Sequence, residues 1–512
     1  MKRLAALALS AVTLAAACGG SEFSPVAIID PTNTFYLTVD TPEGAAVSGP
    51  NYNTSCRNPA ASVEDAGGDT AKALEEALAA AYDADFGVVH LCAGTYETDR
   101  LVEFPNLGSI SIEGDGIDET IISGDQGADH PLLAMVPDCS DDVCPSSFNV
   151  LTLKDITLSN GVGGPDDLKM GFGVGAGGAV TAPLIATERV KFSNNSGYCG
   201  GAIALYGWSL MILADESWSN GPADDTEEAT VAWLSLMDVN NKSTITDTVF
   251  VENSASFGGA IGGIPIFDTE VPDELGIIAC LNPGPLKITG STFSRNVSHE
   301  TNLGGGAVIT FDTRLILFIE FLDADYYAAW LESEAARSPW LDISGSTFSE
   351  NSADQSGGAV LAIGNAKISN SRFSNNYAAG ADGSGGAIAG GGQIVIKGTS
   401  FTGNSAASGG AVAFEDIFGE GGLSHNVLTG NKFTRNVASD QGGAISGWAT
   451  EGSARGNSFI SNRAPLGSAV AVTKVACSRA ASRQLVRDWR GNTFRLNRGG
   501  RVPVECYAVP PV

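Results

Sequence analysis

Positive charge, histidine and long apolar runs are scarce in this 512-residue chain, and each scarcity excludes something. Lys and Arg number 29 against 58 Asp and Glu, a formal net charge of -29. Such a surface repels phosphate backbones and anionic headgroups, so no nucleic-acid partner is expected. The four His (His90, His130, His299 and His425) share no ligand spacing, and there is no CxxC pair, so nothing in the sequence signs a zinc site. Past residue 17 no apolar run approaches the roughly 18 residues of a membrane-spanning helix. No series of alternating strands leads into the C-terminus as an outer-membrane barrel would require. Gly-x-Ser-x-Gly, His-Glu-x-x-His and phosphate-loop motifs are also missing. What remains is 43% hydrophobic and 17% charged, which permits a sizeable core and argues against disorder. Glycine is in excess, at 64 residues, while proline is ordinary at 21.

The N-terminus reads as a processing signal. Lys2 and Arg3 precede an apolar run from Leu4 to Ala17, too short to span a membrane. It ends in Leu14-Ala15-Ala16-Ala17-Cys18, which resembles the lipobox of bacterial lipoproteins. Ala15 and Ala17 also fit a plain Ala-x-Ala cleavage site. The lipoprotein resemblance implies a diacylglyceryl group on Cys18, with residues 1–18 as signal, 19–55 as tether, and the chain held at the outer membrane, on its periplasmic face or at the cell surface. Eight Cys remain, an even number that in an exported chain suggests up to four disulfides. Cys139 and Cys144 enclose a tight loop, and Cys477 with Cys506 would staple the C-terminal end. Cys56 with Cys92 and Cys199 with Cys280 stay open.

Two motifs alternate through most of the chain. Phe-x-x-Asn recurs from Phe192/Asn195 through Phe373/Asn376 and Phe401/Asn404 to Phe494/Asn497. Gly-Gly-Ala followed by Ile or Val recurs from Gly177 through Gly385-Gly386 and Gly409-Gly410 to Gly442, and a decayed copy stands at Gly467-Ser468-Ala469-Val470. Unbroken spacing is about 24 to 28 residues, as from Gly357 to Gly385 to Gly409. That length suits one turn of a parallel β-solenoid with three short strands per turn. Stacked Phe would form an aromatic ladder. Stacked Asn would bond amide to amide and take the left-handed conformation of a sharp bend. The Gly pair would supply a second bend where coils pack closely. This alternation resembles the chlamydial polymorphic outer-membrane protein repeat. The resemblance covers roughly residues 150 to 500 and implies a pectin-lyase-like, right-handed single-stranded parallel β-helix, an all-β fold associated with surface display and adhesion.

The ends and interruptions complete the expected layout. Residues 70–82 have helical periodicity and predict a cap, so that 56–104 is the N-terminal cap and first coil, 105–476 the β-helix and 477–512 a C-terminal coil and cap. Insertions are expected at about 204–240, 262–285 and 309–340. They hold Trp208, Trp218 and Trp233, and Asp323 and Asp325 beside Tyr326 and Trp330. Rings among carboxylates could stack on and hydrogen-bond a sugar; an amphipathic helix packed on the solenoid wall is the plainer reading. Asp312 and Arg314 form the one tidy acid–base pair, with a plain surface pair as its alternative. Seven Arg between Arg479 and Arg501 make a locally basic end, either solvated or docked on an acidic polymer. No cofactor is expected; calcium is the one ion the carboxylates would suit, without an Asp-x-Asp-x-Asp-Gly loop to hold it. The sequence therefore points to an exported, lipid-anchored adhesin or interaction module for carbohydrate or a surface protein. A polysaccharide lyase or glycoside hydrolase with its site among the insertions is the alternative.

Overall fold

The computed structural model describes residues 34–40, 55–136, 149–164, 176–206, 242–266, 279–312, 338–414, 426–447, 452–474 and 489–508, apart from breaks of one to four residues. One coil shows how the chain builds itself. Leu341–Ser344, Thr347–Ser349, Ser352–Ala353 and Val360–Ile363 are four short strands, each the start of a different wall. Leu341 and Ile343 point inward and are buried, while Asp342 and Ser344 alternate outward. Repetition of such coils gives parallel sheets of 13, 12, 9 and 12 strands, here called the first, second, third and fourth walls in chain order. The fold is a right-handed parallel β-helix. The first coils have the three walls that the spacing predicts; from Ser196–Gly197 onward each coil adds a fourth, because the third wall is a strand of two or so residues at most coils, too short to leave a period.

Two columns run through the second wall. Phe192, Phe250, Phe293, Phe348, Phe373, Phe401, Phe433, Phe459 and Phe494 stack in register with centroids 4.6–5.2 Å apart and planes within 12°. Leu158, Ile122 and Tyr96 continue the column toward the N-terminus. Beside it, every motif Asn donates its amide to the next Asn, at 2.9–3.1 Å from Asn195 to Asn497. Asn376, for example, accepts from both the backbone N–H and the Nδ2 of Asn351, and donates to Asn404 Oδ1 and Phe348 O. The bend itself is made by the residue before the Asn: Glu350, Asn375 and Arg435 have φ of 59°, 56° and 56°. The left-handed role expected of the motif Asn thus falls one position earlier, because the Asn side chain is committed to the buried column.

A second polar column at the first-to-second-wall corner has no counterpart in the expected repeat. It starts at the Thr248 N–H; the hydroxyls of Ser291, Ser346, Ser371 and Thr399 each accept from the N–H one coil back, and Asn431, Asn457 and Asn492 continue it through their Oδ1 atoms. The Gly pair divides two tasks. Gly385 takes φ +61° and turns within its own coil, where a Cβ would lie 2.0 Å from Ile388 O, whereas Gly386 lets the next coil approach, since a Cβ there would lie 2.3 Å from Gly410 O.

The N-terminal end is closed by the helix Thr70–Asp83, whose Ala71, Leu74, Ala77, Leu78 and Ala81 face the core. Asp69 caps it through Lys72 N at 2.8 Å, and Arg100 grips Glu75 with both guanidinium nitrogens. Residues 34–38 lie within the expected tether but form a strand of the first wall, paired to Val88–Leu91 with Phe35 and Leu37 buried. Burial of two apolar side chains draws this segment into the fold. The expected insertions all leave the end of a fourth-wall strand and return at the start of a first-wall strand. The third starts later than expected, since Val308–Phe311 belongs to the fourth wall, and the second contains an antiparallel pair, Ile264–Ile266 with Ala279–Leu281.

The columns separate two kinds of glycine. Gly386→Ala is expected to destabilise by more than about 3 kcal/mol, because backbone oxygen blocks the new Cβ. Gly430→Ala, with φ +65° and nothing within 4 Å, should cost about 1–2 kcal/mol. Asn376→Ala strands two buried donors of Asn351 and should cost about 2–5 kcal/mol. Denaturant unfolding of the three variants ranks them.

Candidate functional site

Most of the residues singled out by sequence lie outside the described residues: Cys18, Trp208, Trp218, Trp233, Arg314, Asp323, Asp325, Tyr326 and Trp330, and Cys139, Cys144 and Cys477. Cys506 is in the strand Val504–Ala508, its side chain not among those described. Asp312 is described and is 1% exposed. It follows the fourth-wall strand Val308–Phe311, donates its N–H to Ile363 O at 2.7 Å, and lies over Gly364, where a Cβ would be 2.3 Å from its own. Asp312 thus sits at a corner packed between coils, while Arg314, its expected partner, lies outside the described residues. Trp340 and Trp489 are each 3% exposed. Trp489 sets its ring edge against Phe459, centroids 5.8 Å apart, and covers the last rungs of the aromatic column. Both of these Trp serve packing.

Three segments converge on the outside of the first wall near its N-terminal end. Cys56 and Cys92 form a disulfide there, one of the two pairings left open by sequence. Cys199 is also disulfide-bonded. His90 Nε2 lies 3.0 Å from Asp115 Oδ1, and Ala93 N donates to Asp115 Oδ2 at 2.7 Å. Cys56 Sγ is 3.8 Å from Asp115 Oδ2, and the Tyr36 ring centroid is 5.0 Å from that of His90. The side chains of His90 and Asp115 are 19% and 33% exposed, open to small solutes. Below them burial raises the Tyr96 hydroxyl well above its ordinary pKa, with the charge of Asp115 adding to the shift. Sequence spacing hides this group: His90 and Asp115 meet because consecutive coils stack, Tyr36, His90 and Glu113 being cross-strand neighbours.

The second feature is electrostatic. From Ala366 onward the strands and bends of the first and second walls contain no Asp or Glu among the described residues. They carry instead Arg372, Lys397, Lys432, Arg435, Arg455 and Arg495, all exposed. Lys367, on the same face, reaches back one coil to Asp342 at 3.2 Å. Arg463 and Arg498 are cross-strand neighbours on the adjoining third wall and are exposed as well. The locally basic C-terminus read from sequence is therefore continued by Arg495 and Arg498 and extended N-terminally along one face, while its other members lie outside the described residues. Register is the missing signal: the outward positions on either side of each column Phe, and the bends beside them, hold Arg372, Lys432 and Arg495.

Such a fold and face define a β-helix with a strip that holds no acid among its described residues, on a strongly acidic chain. A family model for the Chlamydia polymorphic membrane protein repeat matches residues 345–363, which span three walls of one coil. No curated protein matches the chain. Among solved structures, the catalytic unit of a thermostable GH87 α-1,3-glucanase from Streptomyces thermodiastaticus is 11% identical, with a TM-score of 0.39, covering 92% of this chain and 71% of that one. A surface adhesin of Streptococcus pneumoniae is 12% identical, with a TM-score of 0.35 and 79% and 83% coverage. The A-module of a mannuronan C-5 epimerase from Azotobacter vinelandii is 12% identical, with a TM-score of 0.26 and 87% and 96% coverage. No helix among the described residues is long and apolar enough to cross a membrane.

Trp489→Ala tests the packing role assigned to that ring. It should lower stability by about 3–5 kcal/mol in denaturant unfolding.

Proposed function

We propose that this chain is an exported interaction module, anchored through Cys18, that binds an acidic polysaccharide along the cationic strip of its C-terminal coils. The observation that supports it is the acid-free face itself. On a chain of net charge -29, six exposed cations on two walls, with no acidic residue among the described residues of those strands and bends, create a local field opposite to the rest of the molecule. A polymer bearing a carboxylate at each sugar can meet such cations repeatedly, coil after coil. Binding, not cleavage, is the expected outcome, since repeated parallel contacts grip a polymer without converging on one bond.

The test is retention of the purified full chain on polygalacturonate against a neutral glucan. Retention on the polyuronate should fall with added salt. Replacing Lys432 and Arg455 by Gln should weaken it by about two- to thirtyfold, from roughly 0.2–1 kcal/mol for each exposed charge. Equal retention on the neutral glucan, or indifference to both substitutions, would reject the strip as the binding face. New reducing or unsaturated ends would establish a polysaccharide-degrading enzyme in its place.

A further inference from the structure

The cluster at the N-terminal end brings together more metal-ligand chemistry than a structural disulfide needs. Cys56 Sγ, His90 Nε2 and an Asp115 carboxylate oxygen all lie within 4.8 Å of one another. Cys92 adds a second sulfur, at present bonded to the first. Around a tetrahedral zinc, with bonds of about 2.0–2.3 Å, ligand atoms stand about 3.3–3.8 Å apart, so the Cys56, His90 and Asp115 atoms need to close by at most about 1 Å, and the two sulfurs, 2.11 Å apart while bonded, to separate by about 1.7 Å once the bond is broken. The carboxylate is already oriented by Ala93 N, and His90 by its place on a first-wall strand. While the disulfide stands, the sulfurs carry no charge and just two ligands are available.

We infer that reduction of Cys56–Cys92 converts this disulfide into a tetrahedral zinc site formed by Cys56, Cys92, His90 and Asp115. A dithiol reductant supplies two electrons and two protons to the S–S bond. The bond breaks to two thiols, and the reductant closes its own disulfide. Zn²⁺ then binds both sulfurs as thiolates, and the two thiol protons leave to solvent. The segment holding Cys56 stays tied to the first coil in either redox state, by a covalent bond in oxidising surroundings and by the ion in reducing ones. The partial exposure of His90 and Asp115 gives the ion its way in.

Cobalt(II) is the probe, added to the full chain with and without reduction by a phosphine. The reduced protein should bind one equivalent at this site, with tetrahedral visible bands and a thiolate-to-cobalt charge-transfer band, and zinc should displace it. The oxidised protein should show neither band. His90→Ala keeps the disulfide, so its folding is checked in the oxidised form; after reduction it should bind cobalt about tenfold or more weakly. The double change Cys56→Ser, Cys92→Ser should remove that equivalent while the other cysteines remain. The inference is overturned if the reduced chain binds no cobalt, if the oxidised chain binds it as well, or if the bands survive in the double variant.

Discussion

Everything in this molecule depends on the distance between one coil and the next. Backbone hydrogen bonds between parallel strands hold it near 4.8 Å, and the columns exploit that single value. Rings at 4.6–5.2 Å stack face to face, and amides reach each other at 2.9–3.1 Å. The second Gly of each pair allows the approach at the tightest corner. A buried Asn satisfied inside its own coil would not need a neighbour. Here Asn376 completes Asn351 and is completed by Asn404, so no coil has its polar groups paired until the next is in place. Stability is then a nearest-neighbour property, and the ends are its weak points. The helix Thr70–Asp83 at one end and Trp489 at the other occupy those points.

The same constraint decides where the chain is free to vary. Inward positions must repeat, and so must the corner columns. Freedom is left to the outward positions and to the turn between the fourth and first walls, where the longest interruptions occur. The charge pattern follows this division. Outward residues on the early coils include Glu188, Glu252 and Asp342, and those from Ala366 onward on two walls are neutral or basic. A rigid internal lattice can carry such a gradient because no outward residue is needed to hold the coil.

Legibility divided along the same line. Phe and Asn recur at fixed spacing because they fill positions that each coil must fill alike, and the β-helix was readable from them. The third wall was not, since a pair such as Ser352–Ala353 is too short to alternate. The true bend residue was hidden by its variety: Glu350, Arg435, Ser461 and Leu496 all adopt positive φ, under the pull of the lattice and against local preference. The second polar column did leave a trace, as Ser, Thr or Asn two residues before each Phe from Thr248 on, but its change from hydroxyl to amide disguises it. The strand Thr34–Thr38 precedes the first motif and has no repeat to announce it. His90 and Asp115 are 25 residues apart and meet through stacking alone, so spacing rules written for single helices or loops miss them.

Regular stacking also bears on binding against catalysis. Side chains that point outward from adjacent coils of one wall run parallel, one step apart along the axis. Catalysis of glycoside cleavage asks for convergence, two carboxylates facing one bond across about 5–10 Å. Parallel rows do the opposite. They spread modest contacts over length, and contacts linked in this way add through effective concentration, so a polymer can be held firmly by charges that are individually weak. The one carboxylate that sequence offered for catalysis among the described residues, Asp312, is enclosed at a coil corner. A face made of repeats favours a ligand that is itself a repeat.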